Sequence, residues 1–147
     1  MIQIIFQISI LIAWIVYSCI FGKCDAWYWY YGNQCKYVLK QKLMDLHPHY
    51  LTSRSIFGLV CGFLMANILN QNLLLGIIYT IALGLILPLF HNGFYYMERN
   101  NINPSVYPLR FKDMSTSSIA PVNFTYNIRL SMALLGALLW FSLSFIY

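Results

Sequence analysis

Residues 73–99, LLLGIIYTIALGLILPLFHNGFYYMER, hold two kinds of chemistry in one run. Up to Phe90 no side chain is charged. About 18 residues at ~1.5 Å each approach the ~30 Å of a bilayer's hydrocarbon core. From His91 onward the run turns polar and aromatic, with His91, Asn92, Tyr95, Tyr96, Glu98 and Arg99 close together. The first half predicts a membrane-spanning helix. Pro88 near its end lacks an N–H, so it should kink the helix and free a carbonyl. The second half is the nearest thing in the chain to a site.

The rest of the chain repeats the first half's composition. Of 147 residues, 60% are hydrophobic and 9% charged, where a soluble domain carries about 25% charged residues. Residues 2–21 form an uncharged run with Gln3, Gln7 and Ser18 among its few polar side chains. No basic residue precedes it and Lys23 follows it, so it reads as a retained helix rather than a cleaved signal peptide. Further spans are expected at 55–69, 73–90 and 128–147. In the second, Gly58, Gly62 and Ala66 fall four apart, and Gly76, Thr80 and Gly84 repeat the spacing in the third. Small residues at that interval let helix backbones approach closely. The two stripes are expected to face each other in a hairpin around the uncharged turn 70–72; the alternative is that one stripe serves a homodimer.

Between the first two spans, residues 26–32 (AWYWYYG) are aromatic matter suited to headgroup depth. Cys35, Leu39, Leu43 and Leu46 then recur at helical spacing, with Lys36, Lys40 and Asp45 on other faces. This predicts a short amphipathic helix in the interface plane, or one packed on the bundle. His47-Pro48-His49 should break it, and Thr52 or Ser53 should cap the next helix. Residues 100–127, with Pro104, Pro108, Pro121 and the run STSS, read as a loop. The predicted fold class is all-α: an integral membrane four-helix bundle with an interfacial amphipathic helix between spans 1 and 2.

Charge sets the expected topology. Nine Lys/Arg against four Asp/Glu give a net charge of +5, and every charged side chain lies in 23–54 or 98–129. The positive-inside rule then puts loops 22–54 and 91–127 in the cytoplasm and both termini on the non-cytoplasmic side. No dense basic run or motif points to nucleic acid. On that topology the sequon Asn123-Phe124-Thr125 goes unused, and a Cys24–Cys35 disulfide is not expected.

The same topology gathers the reactive side chains at one surface. His91, Tyr95 and Glu98 share a face, at i, i+4 and i+7, if the helix continues past Pro88, with Arg99 beside them. Asp25, His47 and His49 flank the neighbouring helix ends, and Asp113 lies in the long loop. One reading is a divalent-metal site drawn from His47, His49, His91, Glu98, Asp113 and Asp25, because imidazole and carboxylate suit zinc, iron or manganese. Another is a metal-free site with His91, Tyr95, Glu98, Arg99 and Asp113 as catalytic candidates. The third is structural: His91 and Tyr95 as interfacial anchors, Glu98–Arg99 as a solvated helix end, or acids paired with Arg99 and Lys112. No H-E-x-x-H, G-x-S-x-G, Walker or dinucleotide-binding pattern is present, so no cofactor-binding residue is named.

The run FHNGFYYMERN, with Tyr107-Pro108 and then Asp113-Met114-Ser115-Thr116-Ser117, resembles a group of uncharacterised small polytopic membrane proteins of bacteria and their phages. In that group a similar stretch leaves a membrane helix, and a serine/threonine-rich loop and a final span follow. The resemblance implies that His91, Tyr95, Arg99 and Asp113 act as a group, and it carries no activity. The expected function is that of a non-catalytic accessory or interaction protein, with the bilayer, other membrane proteins or its own copies as partners. The alternative is a membrane enzyme acting on a lipid or headgroup at the cytoplasmic face. An oligomeric, holin-like pore comes third.

Overall fold

The computed structural model describes residues 2–34, 47–105, 110–112, 115–116 and 123–143. Within them lie four helices: α1 (Ile2–Gln34), α2 (His47–Ile68), α3 (Leu73–Ile102) and α4 (Tyr126–Ser142). A two-residue antiparallel pair, β1 (Ser115–Thr116) and β2 (Asn123–Phe124), precedes α4. Helix α3 is the hub, packing against each of the other three.

The helix ends follow local chemistry. Pro48 falls in the first turn of α2, where its fixed φ suits a helix and its missing N–H costs nothing. Asn70 takes a φ of 54° in the turn to α3, a left-handed conformation that asparagine tolerates better than most residues. The Asn72 side chain then caps α3 by accepting from the Leu74 amide at 3.0 Å, and Thr125 caps α4 by accepting from the Ile128 amide. Helix α3 runs on through Pro88, which has no N–H to give the Gly84 carbonyl.

Register follows from the close contacts. Trp14 Nε1 donates to the Leu83 carbonyl at 2.9 Å, and eight residues on, a Cβ at Gly22 would run into the His91 carbonyl oxygen. Helices α1 and α3 are therefore parallel. Helix α2 lies antiparallel to α3: a Cβ at Gly62 would meet the Gly76 carbonyl and Thr80, and one at Gly58 would lie 3.2 Å from the Trp14 ring. Ala66 is fully buried, whereas a Cβ at Gly84 would meet nothing within 4 Å. Helix α4 is also antiparallel, with Gly136 against the Ala82 carbonyl and Ile86, and Trp140 edge-on to Tyr79 at 5.0 Å. Gln7 and Trp140 tie α1 to α4 reciprocally. The glutamine amide donates to the Trp140 carbonyl at 2.6 Å, and the indole donates to the Gln7 carbonyl at 3.2 Å.

Several expected boundaries need correction. Residues 22–34 and 47–54, expected as loop 22–54, belong to α1 and α2. The cause is that nothing between Phe21 and Gln34 stops a helix except Gly22 and Gly32, and an interior glycine costs only about 1 kcal/mol. Gly22 offsets that by admitting the α3 backbone. Thr52 and Ser53 are inside α2, not at its cap, and residues 91–102, expected as loop, are the last turns of α3. The expected interfacial helix at 35–46 and the end of the last span lie outside the described residues.

Among the described residues two stretches are long and apolar enough to cross a membrane, Gln3–Tyr28 and Leu73–Ile102. A shorter apolar stretch, Thr52–Ile68, lies in α2.

Candidate functional site: a buried charge network

Parallel α1 and α3 with antiparallel α2 and α4 bring every charged side chain among the described residues to one end of the bundle. At its centre is Asp25. Its Oδ2 accepts from Arg54 Nη2 of α2 and lies 3.0 Å from His91 Nε2 of α3. The side chains of Asp25, Arg54 and His91 are only 11–12% exposed, so this is a largely desolvated contact of three helices. Gly22 makes it possible, because one turn before Asp25 it lets α1 lie directly on the His91 backbone. The Arg54 guanidinium also lies 5.9 Å from the Phe21 ring centre.

His91 is engaged on both sides. Its Nδ1 lies 3.0 Å from Asn92 Oδ1. Both ring nitrogens thus face oxygens, an arrangement complete when each carries a proton, or when one does and the Asn92 amide is turned to donate.

The other candidates on α3 make separate contacts. Tyr95 OH accepts from Arg99 Nη1, and the Arg99 guanidinium lies 5.3 Å from the Tyr95 ring centre. Glu98 accepts from Trp27 Nε1 of α1 at 2.8 Å. Arg99 is buried, so it is not the solvated helix end that its position after Glu98 suggested. His91, Tyr95 and Glu98 therefore point along one side of α3 yet reach three different partners.

His47 and His49 fall in the first turn of α2, and their side chains, like the whole of Asp113, lie outside the described residues. Among the described residues no group of three or more His, Cys, Asp and Glu side chains is placed to hold a metal; of the metal candidates, Asp25 and His91 come together and Glu98 does not join them.

The sequence reading missed three participants. Arg54, in the expected loop 22–54, donates from α2 to Asp25. Arg129 is fully buried at the start of α4, where its Nη2 donates to the Phe111 carbonyl at 2.8 Å. Gly22 went unnoticed although Ser18, Gly22 and Ala26 repeat the small-residue spacing found in α2 and α3, and all three are buried. That spacing is the signal the sequence carries for α1 continuing past Phe21.

Chemically, the network joins helices. Removing one partner from a buried ion pair costs about 3–5 kcal/mol, which gives Asp25 a large share in holding α1, α2 and α3 together. The chain matches no protein-family model, no curated protein and no solved structure.

Proposed function

We propose that this chain is a small integral membrane protein that crosses the bilayer four times and serves as a non-catalytic accessory or interaction subunit. One observation carries the membrane reading: large apolar side chains cover the outside of the bundle, while several polar and charged side chains are turned inward beside its apolar core. Among the described residues twenty large hydrophobic side chains stay exposed, including Ile4, Ile8, Ile12, Val16 and Ile20 along one ridge of α1 and Leu134, Leu135 and Leu138 on α4. Meanwhile Gln7, Ser18, Asp25, His91, Arg99 and Arg129 are buried. Half-burying such a side chain is worth about 1 kcal/mol. Moving the exposed set from water into hydrocarbon would therefore gain roughly 20 kcal/mol.

Charge supports the orientation. With all described charges at one end, the positive-inside rule sets that end in the cytoplasm and the 70–72 turn outside. The hydrogen bonding supports a structural use of the polar groups. Both nitrogens of His91 are engaged by neighbouring side chains, Tyr95 by Arg99, and Glu98 by Trp27. The resemblance to uncharacterised polytopic proteins agrees with this reading without adding an activity.

The test is cysteine labelling in a cysteine-free chain carrying Asn70→Cys or Arg110→Cys, both exposed positions. A membrane-impermeant maleimide added to intact cells labels residue 70 and reaches residue 110 only after lysis. Labelling of both from the same side, or release of the chain from membranes by alkaline wash, would overturn the reading.

A further inference from the structure

At the charged end, the described residues divide by sign. Both acids are turned to partners within the fold: Asp25 to Arg54 and His91, and Glu98 to Trp27. The charged side chains exposed among the described residues are Lys23, Arg110 and Lys112, all cations. Two of them rest on ring faces. Lys23 Nζ lies 5.7 Å from the Phe94 ring centre, and Lys112 Nζ lies 5.7 Å from that of Tyr126. A ring face attracts an ammonium through its quadrupole while leaving N–H donors to point elsewhere.

Those rings form a row. Phe94 and Phe111 meet edge-on at 5.6 Å, and Phe111 meets Tyr126 at 6.4 Å. The middle ring is fixed from both sides. A Cβ on Gly93 would run into Phe111, and the Phe111 carbonyl accepts from buried Arg129. The row thus spans α3, the segment after it and the start of α4, with a lysine at each end. Aromatic rings with cations beside them suit the boundary between hydrocarbon and headgroups.

Resting on the membrane reading above, we propose that this face binds the phosphate groups of acidic lipid headgroups. Lys23, Arg110 and Lys112 supply the charge, and the Phe94–Phe111–Tyr126 row lies at headgroup depth. Each cation near an anionic leaflet raises affinity about fivefold, so the three together contribute on the order of 100-fold.

The experiment titrates the full-length chain in mild detergent with phosphatidylglycerol, with phosphatidylcholine of the same acyl chains, or with inorganic phosphate, and counts bound molecules by native mass spectrometry. Wild type should bind phosphatidylglycerol in preference. The triple variant Lys23→Gln, Arg110→Gln, Lys112→Gln should lose on the order of 100-fold in that affinity, with phosphatidylcholine binding unchanged. The charge-keeping exchange Lys23→Arg, Arg110→Lys, Lys112→Arg should retain it. Equal phosphatidylglycerol affinity in wild type and the neutralised variant overturns the proposal. So does inorganic phosphate that binds and displaces the lipid, since the face then takes a small anion. Insertion into neutral phosphatidylcholine vesicles without any acidic-lipid preference refutes this proposal alone. Failure to insert into those vesicles refutes the membrane reading and this proposal with it.

Discussion

Replacing Asp25 with alanine removes the carboxylate on which Arg54 and His91 converge. Two donors from different helices are then left facing each other with no acceptor between them. Loss of one partner from a buried ion pair costs about 3–5 kcal/mol. Because these side chains keep 11–12% exposure, some water reaches them, and the lower end, about 3 kcal/mol, is expected. That is a change of roughly 150-fold in the folding equilibrium. The assay is unfolding of the purified chain in mixed micelles of rising SDS fraction, followed by far-ultraviolet circular dichroism. A double-mutant cycle with Arg54→Met separates the ion pair from simple loss of packing. Removing the guanidinium as well relieves its unpaired burial, so the double variant should cost at least ~1.5 kcal/mol less than the sum of the singles. Additivity within about 0.5 kcal/mol, the value for independent sites, would refute the network as a unit. A cost below ~1 kcal/mol for Asp25→Ala would refute its burial as the source of its weight.

The glycines give a contrast that the same unfolding assay resolves. Gly22→Val drives a branched side chain into the His91 backbone and should cost about 1–3 kcal/mol by overpacking. Gly84→Ala places a methyl where nothing lies within 4 Å and should raise stability by up to about 1 kcal/mol through helix propensity. Gln7→Leu removes the amide that donates to the Trp140 carbonyl and leaves the indole bond to the residue 7 carbonyl in place. On the membrane reading it should cost about 0.6 kcal/mol, the mean for hydrogen bonds between membrane helices, and at most ~1.7 kcal/mol; a neutral result would show that the Gln7 amide adds nothing to the α1–α4 contact. His91→Gln keeps a donor toward Asp25 in place of Nε2 and should be milder than His91→Ala by at least ~1 kcal/mol; equal losses would mean that ring packing, not the hydrogen bond, is what counts.

The helices were legible where hydrophobicity alone decides. The apolar runs in α1, α2, α3 and α4 declare themselves by length, and the 70–72 turn by its polar residues. Their ends are not legible, because a charged residue after an apolar run marks a loop and a partnered helix end equally well. Lys23, Asp25 and Arg54 all sit on helices, each with a partner or ring that no local pattern reveals: Phe94 for Lys23, His91 for Asp25, Phe21 for Arg54. The candidate site was legible in part. His91 stood out because a polar cluster ends an apolar run. Its joining with Asp25 depends on the parallel register of α1 and α3, which is a property of two helices 66 residues apart in sequence at this contact. The inward turn of Arg129 was hidden for the same reason: a cation at the start of an apolar run looks like an interfacial residue until the segment around Phe111 supplies a carbonyl.

The spacing of the Asp25 partners along the chain bears on synthesis. Arg54 lies 29 residues after Asp25 and His91 66 residues after it. At about 5–20 residues per second, the guanidinium leaves the ribosome roughly 1.5–6 s after the carboxylate, and the imidazole roughly 3–13 s after it. Helix α1 is therefore complete while its acid still lacks both partners. Arginine arrives first to neutralise it, and histidine closes the assembly only once the hub helix has been made.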